Sequence, residues 1–592
     1  MYEPVVFAPG VVRDDTELAA ASRHGRRRWT NSDRIRFVLG LPQKLGGWRP
    51  RTNTLFLGIC RGLLPWQDND SAARTAIGTH TKLYALESTT FTNITPIRAT
   101  ATLTDPFATT DTSTTVTVTD SAHGAAVNDY VEFTGASAVG GITITGNYQI
   151  ATVPSVGTYT IAHSAAATST ATGGGTVTTD YEIQVGRVDG EEGLGYGVGT
   201  YGTGTYGTAR PAGIYILLPP RTWALDLWGQ NLLACPRGGS IYQWSRVAGT
   251  RATIVSNAPT TNNAIFVTEE QHLVVLGSGG TRMLVRWSDQ SDNTQWTASD
   301  TTTSGSRTLV GGTTMLFGLR TRGTNLLFSD TAVWTMTFIG GADVFAFVQV
   351  ASGAAGTVSA HGAADVDGVV YWMGQNDFYM YDGQVRRMRN SKNIRRHVFD
   401  NLTTLQRDKV YCGVNTLFSE IWWLYSVSTE NDRYVKYNLD EEEWDVGTIA
   451  RTAMIDRGVF TLPFLTGDDR IVYEHETGND SITGTASTTN ALADTITSAP
   501  FMLGRGGRLT EVMSVIPDFR GLTGSVAITL LTRYYPQDTE NTVISGTVGS
   551  TTSKVDTRAV GRQAAVRLAS VGTGGTWRLG TFHMELERGG ER

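Results

Sequence analysis

Short apolar runs that end in an aromatic residue recur along the middle of the chain. The six segments are Ile241–Trp244, Leu284–Trp287, Ala332–Trp334, Phe378–Tyr381, Tyr434–Tyr437 and Ile471–Tyr473. Their last aromatic residues are 43, 47, 47, 56 and 36 positions apart. A repeat of about 40–50 residues is typical of one four-stranded blade of a β-propeller. The pattern therefore predicts an all-β propeller.

A seventh copy of this pattern lies nearer the N-terminus. Arg74–Thr79 and Lys82–Leu86 alternate as two strands joined by a turn, and Tyr84 is a further aromatic residue in the series. The chain is therefore predicted to contain six or seven blades, the first at residues 54–97 and the others at 214–495. Within the latter range, residues 391–407 are predicted to form a helix, which explains the step of 56 residues.

Two further segments alternate without the blade spacing. Residues 98–180 are rich in Thr, Ala, Ser and Gly, and short strands such as Thr114–Thr119 and Thr158–Ile161 are separated by turns. This predicts a small Ig-like β-sandwich inserted into a loop, where insertion is tolerated. Residues 496–592 are predicted to form a C-terminal antiparallel β-sandwich.

Composition supports many short strands and tight turns. Of the 592 residues, 67 are glycine and only 18% are charged, whereas long helices favour Ala, Leu, Glu and Lys. The net charge is −6, so bulk attraction to nucleic acid is not expected. Residues 1–51 nevertheless contain ten Lys/Arg and five acids, which leaves about −11 for the rest.

Residues 1–53 are therefore interpreted as a basic N-terminal arm. Its candidate interface or DNA-proximal residues are Arg23, Arg26, Arg27 and Arg28. One hypothesis is contact with an acidic partner or nucleic acid. The other is docking of the arm on the acidic body of its own chain or of a neighbouring subunit.

Residues 181–213 are predicted to form a Gly/Tyr-rich loop. Gly195–Gly207 contains two overlapping GxGxxG matches, but a dinucleotide site needs a preceding strand and a following helix. Ala209–Gly213 contains a proline and begins a helix poorly. The favoured interpretation is a loop in which Tyr196, Tyr201 and Tyr206 make contacts, so no cofactor is predicted.

No pattern of residues predicts catalysis or metal binding. The nine histidines are scattered, and the chain contains no HExxH, GxSxG or GxxxxGK[ST] motif. Cys60, Cys235 and Cys412 are far apart without a CxxC pair, so buried reduced thiols are expected rather than disulfides or zinc ligands. The N-terminus lacks an apolar leader and no apolar run reaches about 18 residues, which predicts neither a standard secretion signal nor a membrane span.

One segment suggests carbohydrate chemistry. Ser288–Trp296 loosely resembles the Asp-box turn of sialidase propellers, with Asn293 in place of the expected glycine. Hydrolysis of a glycoside needs two facing carboxylates, and the acid run Asp440–Asp445 is more typical of a solvated surface. A receptor-binding or polysaccharide-degrading propeller is therefore the alternative function.

The chain as a whole resembles the tail nozzle (tail tubular) proteins of short-tailed bacteriophages. The segments that carry the resemblance are Phe7–Gly10, Val12–Asp15, Arg36–Phe37, Leu41–Trp48, Gly78–Tyr84, Thr145–Ile150, Gly157–Ile161, Gly195–Gly207 and Arg562–Arg567. These motifs are architectural rather than catalytic, and they extend over nearly the whole chain.

The resemblance implies a non-enzymatic virion protein, assembled in the host cytoplasm, that forms a homohexameric ring below the head–tail adaptor at the portal vertex. The ring would enclose the exit channel, contact double-stranded DNA without reading its bases, and retain the genome until ejection. Tail fibre or spike proteins and the host envelope are the further partners implied. An internal head protein is a third hypothesis.

Overall fold

The computed structural model describes residues 2–22, 27–192, 217–341, 343–503 and 509–588. The predicted all-β fold, with propeller blades, an inserted sandwich and a C-terminal sandwich, is confirmed by the strand pairing. Backbone contacts divide the chain into two compact units. The first contains Met1–Phe56 and Leu309–Arg592, and the second contains Leu57–Gly193 and Leu218–Thr308.

The second unit contains three antiparallel four-stranded blades. Blade 1 consists of Cys60–Gln67, Ala73–Thr79, Leu83–Glu87 and Thr90–Asn93. Blade 2 consists of Trp223–Trp228, Asn231–Pro236, Tyr242–Trp244 and Thr253–Ile254. Blade 3 consists of Ala264–Val267, Leu273–Leu276, Leu284–Trp287 and Gly305–Thr308.

The first unit contains four blades. Blade 4 consists of Met315–Thr321, Thr324–Ser329, Val333–Phe338 and Phe345–Ala351. Blade 5 consists of Ala363–Val366, Val369–Met373, Phe378–Tyr381 and Val385–Arg387. Blade 6 consists of Tyr411–Asn415, Glu420–Tyr425, Arg433–Asn438 and Glu443–Thr448. Blade 7 consists of Arg451–Ile455, Phe464–Gly467, Val472–His475 and Trp48–Pro50.

The repeated aromatic residue has the same place in every blade. It lies on the third strand in each of the seven blades of the described chain. The residues are Tyr84, Trp244, Trp287, Trp334, Tyr381, Tyr437 and Tyr473. All except Tyr381 are buried, so the repeat marks a side chain that belongs to the hydrophobic core at its blade. The higher of the two predicted blade counts, seven, is the one found.

Two glycines explain how blade 2 packs on blade 1. Gly62 and Gly78 are directly opposite each other on adjacent strands. A methyl group added at either position would overlap Trp223, the first residue of blade 2. The indole Nε1 donates to the carbonyl oxygen of Thr79 at 2.7 Å. The paired glycines thus leave a slot that a buried tryptophan fills, which is the close approach that glycine permits.

The inserted sandwich lies between blades 1 and 2 in the sequence. Its strands are Ile97–Thr104, Phe107–Thr109, Thr115–Thr119, Tyr130–Thr134, Gly146–Ser155, Thr158–Ala162, Ala171–Gly173 and Thr176–Glu182. Gly146–Ser155 pairs with strands of both sheets. The core side chains, among them Phe107, Phe133 and Tyr159, all come from this segment. Two short strands, Glu191–Glu192 and Leu217–Leu218, follow it.

The C-terminal sandwich is built from both ends of the chain. One sheet consists of Tyr2–Val5, Phe582–Arg588, Thr510–Ile516 and Val555–Gly561. The other consists of Phe7–Val11, Arg27–Asp33, Thr495–Ser498, Gln563–Leu579, Phe519–Arg533 and Asn541–Val548, joined by Ile35–Val38, Leu41–Lys44 and Phe501–Met502.

The interpretation of residues 1–53 as a basic N-terminal arm is therefore wrong for the described part of that segment. Val5, Val11, Trp29 and Phe37 belong to the sandwich core. Trp48–Pro50 pairs with Val472–His475 and completes blade 7. The hairpin Asp480–Thr483 and Thr488–Ala491 continues the same sheet.

The predicted helix at 391–407 is shorter and broken. Helical turns in the described chain are Glu17–Ser22 and Arg395–Phe399, with 3₁₀ turns at Ser278–Gly280, Gly353–Ala355, Ser391–Asn393 and Thr404–Lys409. Ile394 and Val398 are buried as the apolar spacing predicts. Asn390 has a positive φ of 55°, and the segment consists of a 3₁₀ turn, one short helix and a second 3₁₀ turn rather than one continuous helix. It does lie between blades 5 and 6, where the repeat is longest.

Candidate functional site

Two of the predicted interface arginines face carboxylates of their own chain. Arg27 Nη2 lies 2.8 Å from Glu3 Oε1, and its guanidinium lies over the ring of Phe501. Arg28 donates to both carboxylate oxygens of Glu443, at 2.9 and 2.8 Å. Bidentate pairs of this kind are geometrically specific. Both arginines are therefore paired on strand Arg27–Asp33.

The other predicted interface residues lie outside the described residues. They are Arg23, Arg26, Tyr196, Tyr201 and Tyr206. Their role as contact residues stays a prediction.

A buried charged cluster joins the N-terminal hairpin to blades 6 and 7. Arg36 donates through Nε and Nη2 to the two oxygens of Glu420, each at 3.2 Å, and through Nη1 to Glu476 at 2.9 Å. Lys436 Nζ lies 2.7 Å from Glu420 and 3.0 Å from Asp445. The side chains of these two cations and three carboxylates are at most 8% exposed, so each depends on the others for its charge balance.

The carboxylates of this cluster are not equivalent. Glu420 accepts hydrogen bonds from Arg36, Lys436 and Trp422, whereas Asp445 Oδ1 has no hydrogen-bond partner among the described residues. Burial raises the pKa of Asp445 to about 7, against the attraction of Lys436. Asp445 is thus the member that holds a proton most readily, which leaves two positive and two negative charges.

The acid run Asp440–Asp445 is not the solvated surface that its sequence suggested. Glu441 accepts from the backbone amide of Gly40 at 2.6 Å, and Glu443 is the partner of Arg28. Asp445 is buried. Asp440 is exposed and the side chain of Glu442 is 44% exposed, whereas the N-terminal segment contacts Glu441 and Glu443.

The Asp-box-like segment forms a structural turn in blade 3, between its third and fourth strands. Asp292 Oδ1 accepts from the amide and hydroxyl of Thr294, at 2.8 and 2.6 Å, and these bonds lower its pKa. Trp296 is buried and donates to the carbonyl oxygen of Asn293 at 2.8 Å. The carboxylate therefore stabilises the turn.

A second buried charged cluster joins the inserted sandwich to blade 1. Lys82 forms a short ion pair with Glu182, and its Nζ lies 3.7 Å from the ring centre of Tyr130. Asn147 donates to the other oxygen of Glu182 at 2.8 Å. Burial lowers the pKa of Lys82 to about 8. These contacts orient the sandwich on its blade.

Sequence analysis missed an exposed basic segment in the first unit. Six cations occur within residues 386–396, with no acid from 383 to 399. They are Arg386, Arg387, Arg389, Lys392, Arg395 and Arg396. The local run of positive charge is the sequence signal that could have predicted this segment. It was not considered, because residues 391–407 were interpreted only as a helix. We call these six residues the basic strip.

Cys60, Cys235 and Cys412 are buried free thiols. Among the described ranges, no group of three or more His, Cys, Asp or Glu could hold a metal ion. No helix in the part of the chain that the structure describes is long and apolar enough to span a membrane.

No protein-family model and no curated protein matches the chain. Solved structures similar to it include a phage phi92 endosialidase, with 12% identity, a TM-score of 0.19, and coverage of 55% of this chain and 52% of the endosialidase. The chain thus spans about half the length of that protein.

Two propeller-sized structures are also similar. A β-propeller domain from Myceliophteria thermophila shows 8% identity and a TM-score of 0.28, with coverage of 43% and 83%. A virginiamycin B lyase from Staphylococcus aureus shows 9% identity and a TM-score of 0.28, with coverage of 47% and 90%.

Proposed function

We propose that this protein is a structural subunit of the tail of a short-tailed bacteriophage. Six copies form a ring below the head–tail adaptor, enclose the channel through which DNA leaves, and retain the genome until ejection. The protein belongs to the virion, contacts fibre or spike proteins and the host envelope, and catalyses no reaction.

The observation that carries the proposal is where the resemblance residues lie. Phe7 packs against Trp29 in the sandwich, with ring centres 4.3 Å apart. Arg36 is the centre of the buried charged cluster. Trp48 completes blade 7. The motifs that resemble those of nozzle proteins thus contribute residues to the sandwich, the buried charged cluster and blade 7. This supports a resemblance in architecture rather than in isolated short motifs.

Closed rings need one interface repeated head to tail. A subunit whose N-terminal strands pair within its own C-terminal sandwich and blade 7 is suited to this, because those strands are not available to pair with a neighbouring copy. The second candidate is a polysaccharide-degrading propeller. Its support is weaker, because it rests on the single Asp-box-like turn, in which the carboxylate of Asp292 accepts hydrogen bonds from Thr294 of the same turn.

The test is the mass and appearance of the full-length protein. Native mass spectrometry and negative-stain electron microscopy are expected to show six chains of 63.9 kDa around an open channel. In virions, labelling of the protein should mark the tail below the portal. A monomer or trimer that cleaves capsular polysaccharide would contradict the nozzle proposal and support the alternative.

A further inference from the structure

In the basic strip, the charged side chains are exposed while neighbouring apolar side chains are buried. Met388, Ile394 and Val398 alternate with the cations and are buried in the core shared with Trp423 and Trp444. The side chains of the strip's ion-paired arginines are 42–74% exposed. The strip is therefore a row of exposed cations held by apolar anchors.

Hydrogen bonds hold the same backbone from two sides. Trp444 Nε1 donates to the carbonyl oxygen of Arg389 at 2.7 Å. The carboxylate of Asp14 accepts from the amides of Arg396 and His397, at 2.6 and 2.9 Å. The amide of Arg13 donates to the carbonyl oxygen of Asn393 at 2.7 Å. Because the backbone is fixed in this way, little ordering is needed when the strip binds a ligand.

Nearby acids hold four of the strip's five arginines only loosely, whereas Arg389 forms a short ion pair with Glu442. Arg386, Arg387, Arg395 and Arg396 lie 3.3–3.7 Å from the nearest carboxylate oxygens. Asp377, which faces two of them, is only 4% exposed. Exposed pairs at such distances contribute little stability, so the guanidinium groups of Arg386 and Arg396 can exchange a carboxylate for a phosphate. Arg387 and Arg395 share the single buried carboxylate of Asp377, so one carboxylate does not neutralise both.

A neighbouring titratable group reports the same positive surroundings. His397 is half-buried at the end of the strip. Burial, together with the charges of Arg13 and Arg433, lowers its pKa to about 4. Two cations outside the strip thus add to the positive charge of this surface.

We propose that the basic strip binds the sugar–phosphate backbone of double-stranded DNA without base specificity. Arginine matches phosphate oxygens with two parallel N–H donors, and contacts of this kind position a duplex without reading its sequence. The identity of the polyanion as DNA rests on the proposed function. The contact lies on blade 5 and the turns that follow it, rather than on Arg27 and Arg28, which are paired with carboxylates of their own chain.

The test compares two four-residue variants of the full-length protein. The strip variant carries Arg386→Gln, Arg387→Gln, Arg395→Gln and Arg396→Gln. The matched control carries Arg282→Gln, Arg457→Gln, Arg520→Gln and Arg558→Gln, four arginines that are also exposed. Both variants lose the same net charge, so only the location differs.

Affinity for two duplexes of unrelated sequence is measured from about 50 to about 200 mM salt. The wild-type protein and the control variant should bind both duplexes equally, with a steep salt dependence. The strip variant should lose at least tenfold in affinity at low salt. Its slope of log affinity against log salt should flatten by about 3–4, because each lost phosphate contact contributes about 0.9.

Equal losses in the two variants would overturn the proposal, since the effect would then be one of net charge. Loss of ring formation in the strip variant alone, with DNA affinity unchanged, would also overturn it and identify the strip as a contact between subunits. If the wild-type protein forms rings and its DNA affinity does not depend on the strip, the strip proposal is wrong and the proposed nozzle function is unaffected. If DNA binding depends on the strip but the protein forms no rings, the proposal of DNA binding by the strip is supported and the proposed nozzle function is contradicted.

Discussion

Asp445 shows how a single residue takes its properties from distant parts of the chain. The carboxylate is buried beside Lys436, in a cluster that also contains Arg36, Glu420 and Glu476. Because three carboxylates share two cations without access to water, ionising all of them is costly. The proton that balances the cluster belongs to Asp445, whose second oxygen has no hydrogen-bond donor in the described chain.

This arrangement predicts an unusual pH dependence. The folded protein holds the proton of Asp445 up to about pH 7, whereas the ordinary pKa is 3.8. The folded state thus binds more protons than the unfolded chain between these values, so this group lowers stability as pH rises through the window. Relative to Asp445→Asn, the wild-type protein should lose up to a few kcal/mol from about pH 4 to about pH 7, measured by unfolding at each pH.

Asp440→Asn is the control for this prediction. Asp440 lies in the same acid run but is exposed, so the variant should follow the wild-type pH profile. A difference between wild type and Asp445→Asn that stays constant over the whole range would contradict the shared proton.

At the scale of elements, blade 7 depends on a strand from the other end of the chain. Trp48–Pro50 pairs with Val472–His475. Trp48 stacks on His475 with ring centres 5.1 Å apart, and the guanidinium of Arg451 lies near the rings of Trp48 and Tyr473. Arg451 Nε also lies 3.0 Å from His475 Nε2. The third strand of blade 7 is therefore paired with a strand that lies about 400 positions earlier in the sequence.

Removing this contact should loosen blade 7 selectively. Trp48→Ala deletes a buried indole and leaves Arg451 and His475 exposed on one side, at an expected cost of about 3–5 kcal/mol. Hydrogen exchange should then speed up in the strands of blade 7 and remain unchanged in blade 4. Local opening of this kind is what exchange detects.

Leu39→Ala supplies the comparison for that experiment. Leu39 belongs to the same N-terminal segment but is exposed at a turn, so little change is expected. Faster exchange spread evenly over the first unit in Trp48→Ala would show that blade 7 does not open by itself.

At the scale of the whole molecule, the modules differ in their independence. The core of the inserted sandwich draws only on its own residues, and its first and last strands pair, with Ile97 opposite Glu182. The core between blades 1 and 2 instead combines Trp66 and Leu83 with Trp223 and Trp244. The sandwich therefore has its own core, as autonomous domains do, whereas a blade shares its core with its neighbour.

A fragment of residues 95–184 should consequently fold alone. Its thermal unfolding should be cooperative and its amide NMR signals well dispersed. A fragment of similar length, residues 218–308, contains blades 2 and 3 without the blade 1 face of their core, and it should remain unfolded or aggregate. An unfolded sandwich fragment would mean that the Lys82–Glu182 junction is needed for folding as well as for orientation.

Some features followed from the sequence because they depend on neighbouring residues. Alternation and turn residues identify short strands locally, and most strands of a blade are consecutive in sequence. The aromatic repeat at Tyr84 and Trp244–Tyr473 therefore predicted each of the seven blades in the described chain. The inserted sandwich was visible for the same reason, since its strands pair within about 85 residues.

Only the tertiary structure decided which distant strands pair. A short strand carries its hydrophobic pattern but not the identity of its partner, so Tyr2–Val5 and Trp48–Pro50 resembled an arm when they are parts of the sandwich and of blade 7. For the same reason the sequence did not predict that Arg36 would meet Glu420 and Glu476, 384 and 440 residues away. The burial of Asp445 and the exposure of the basic strip depend on the surfaces that these long-range pairings cover or leave open.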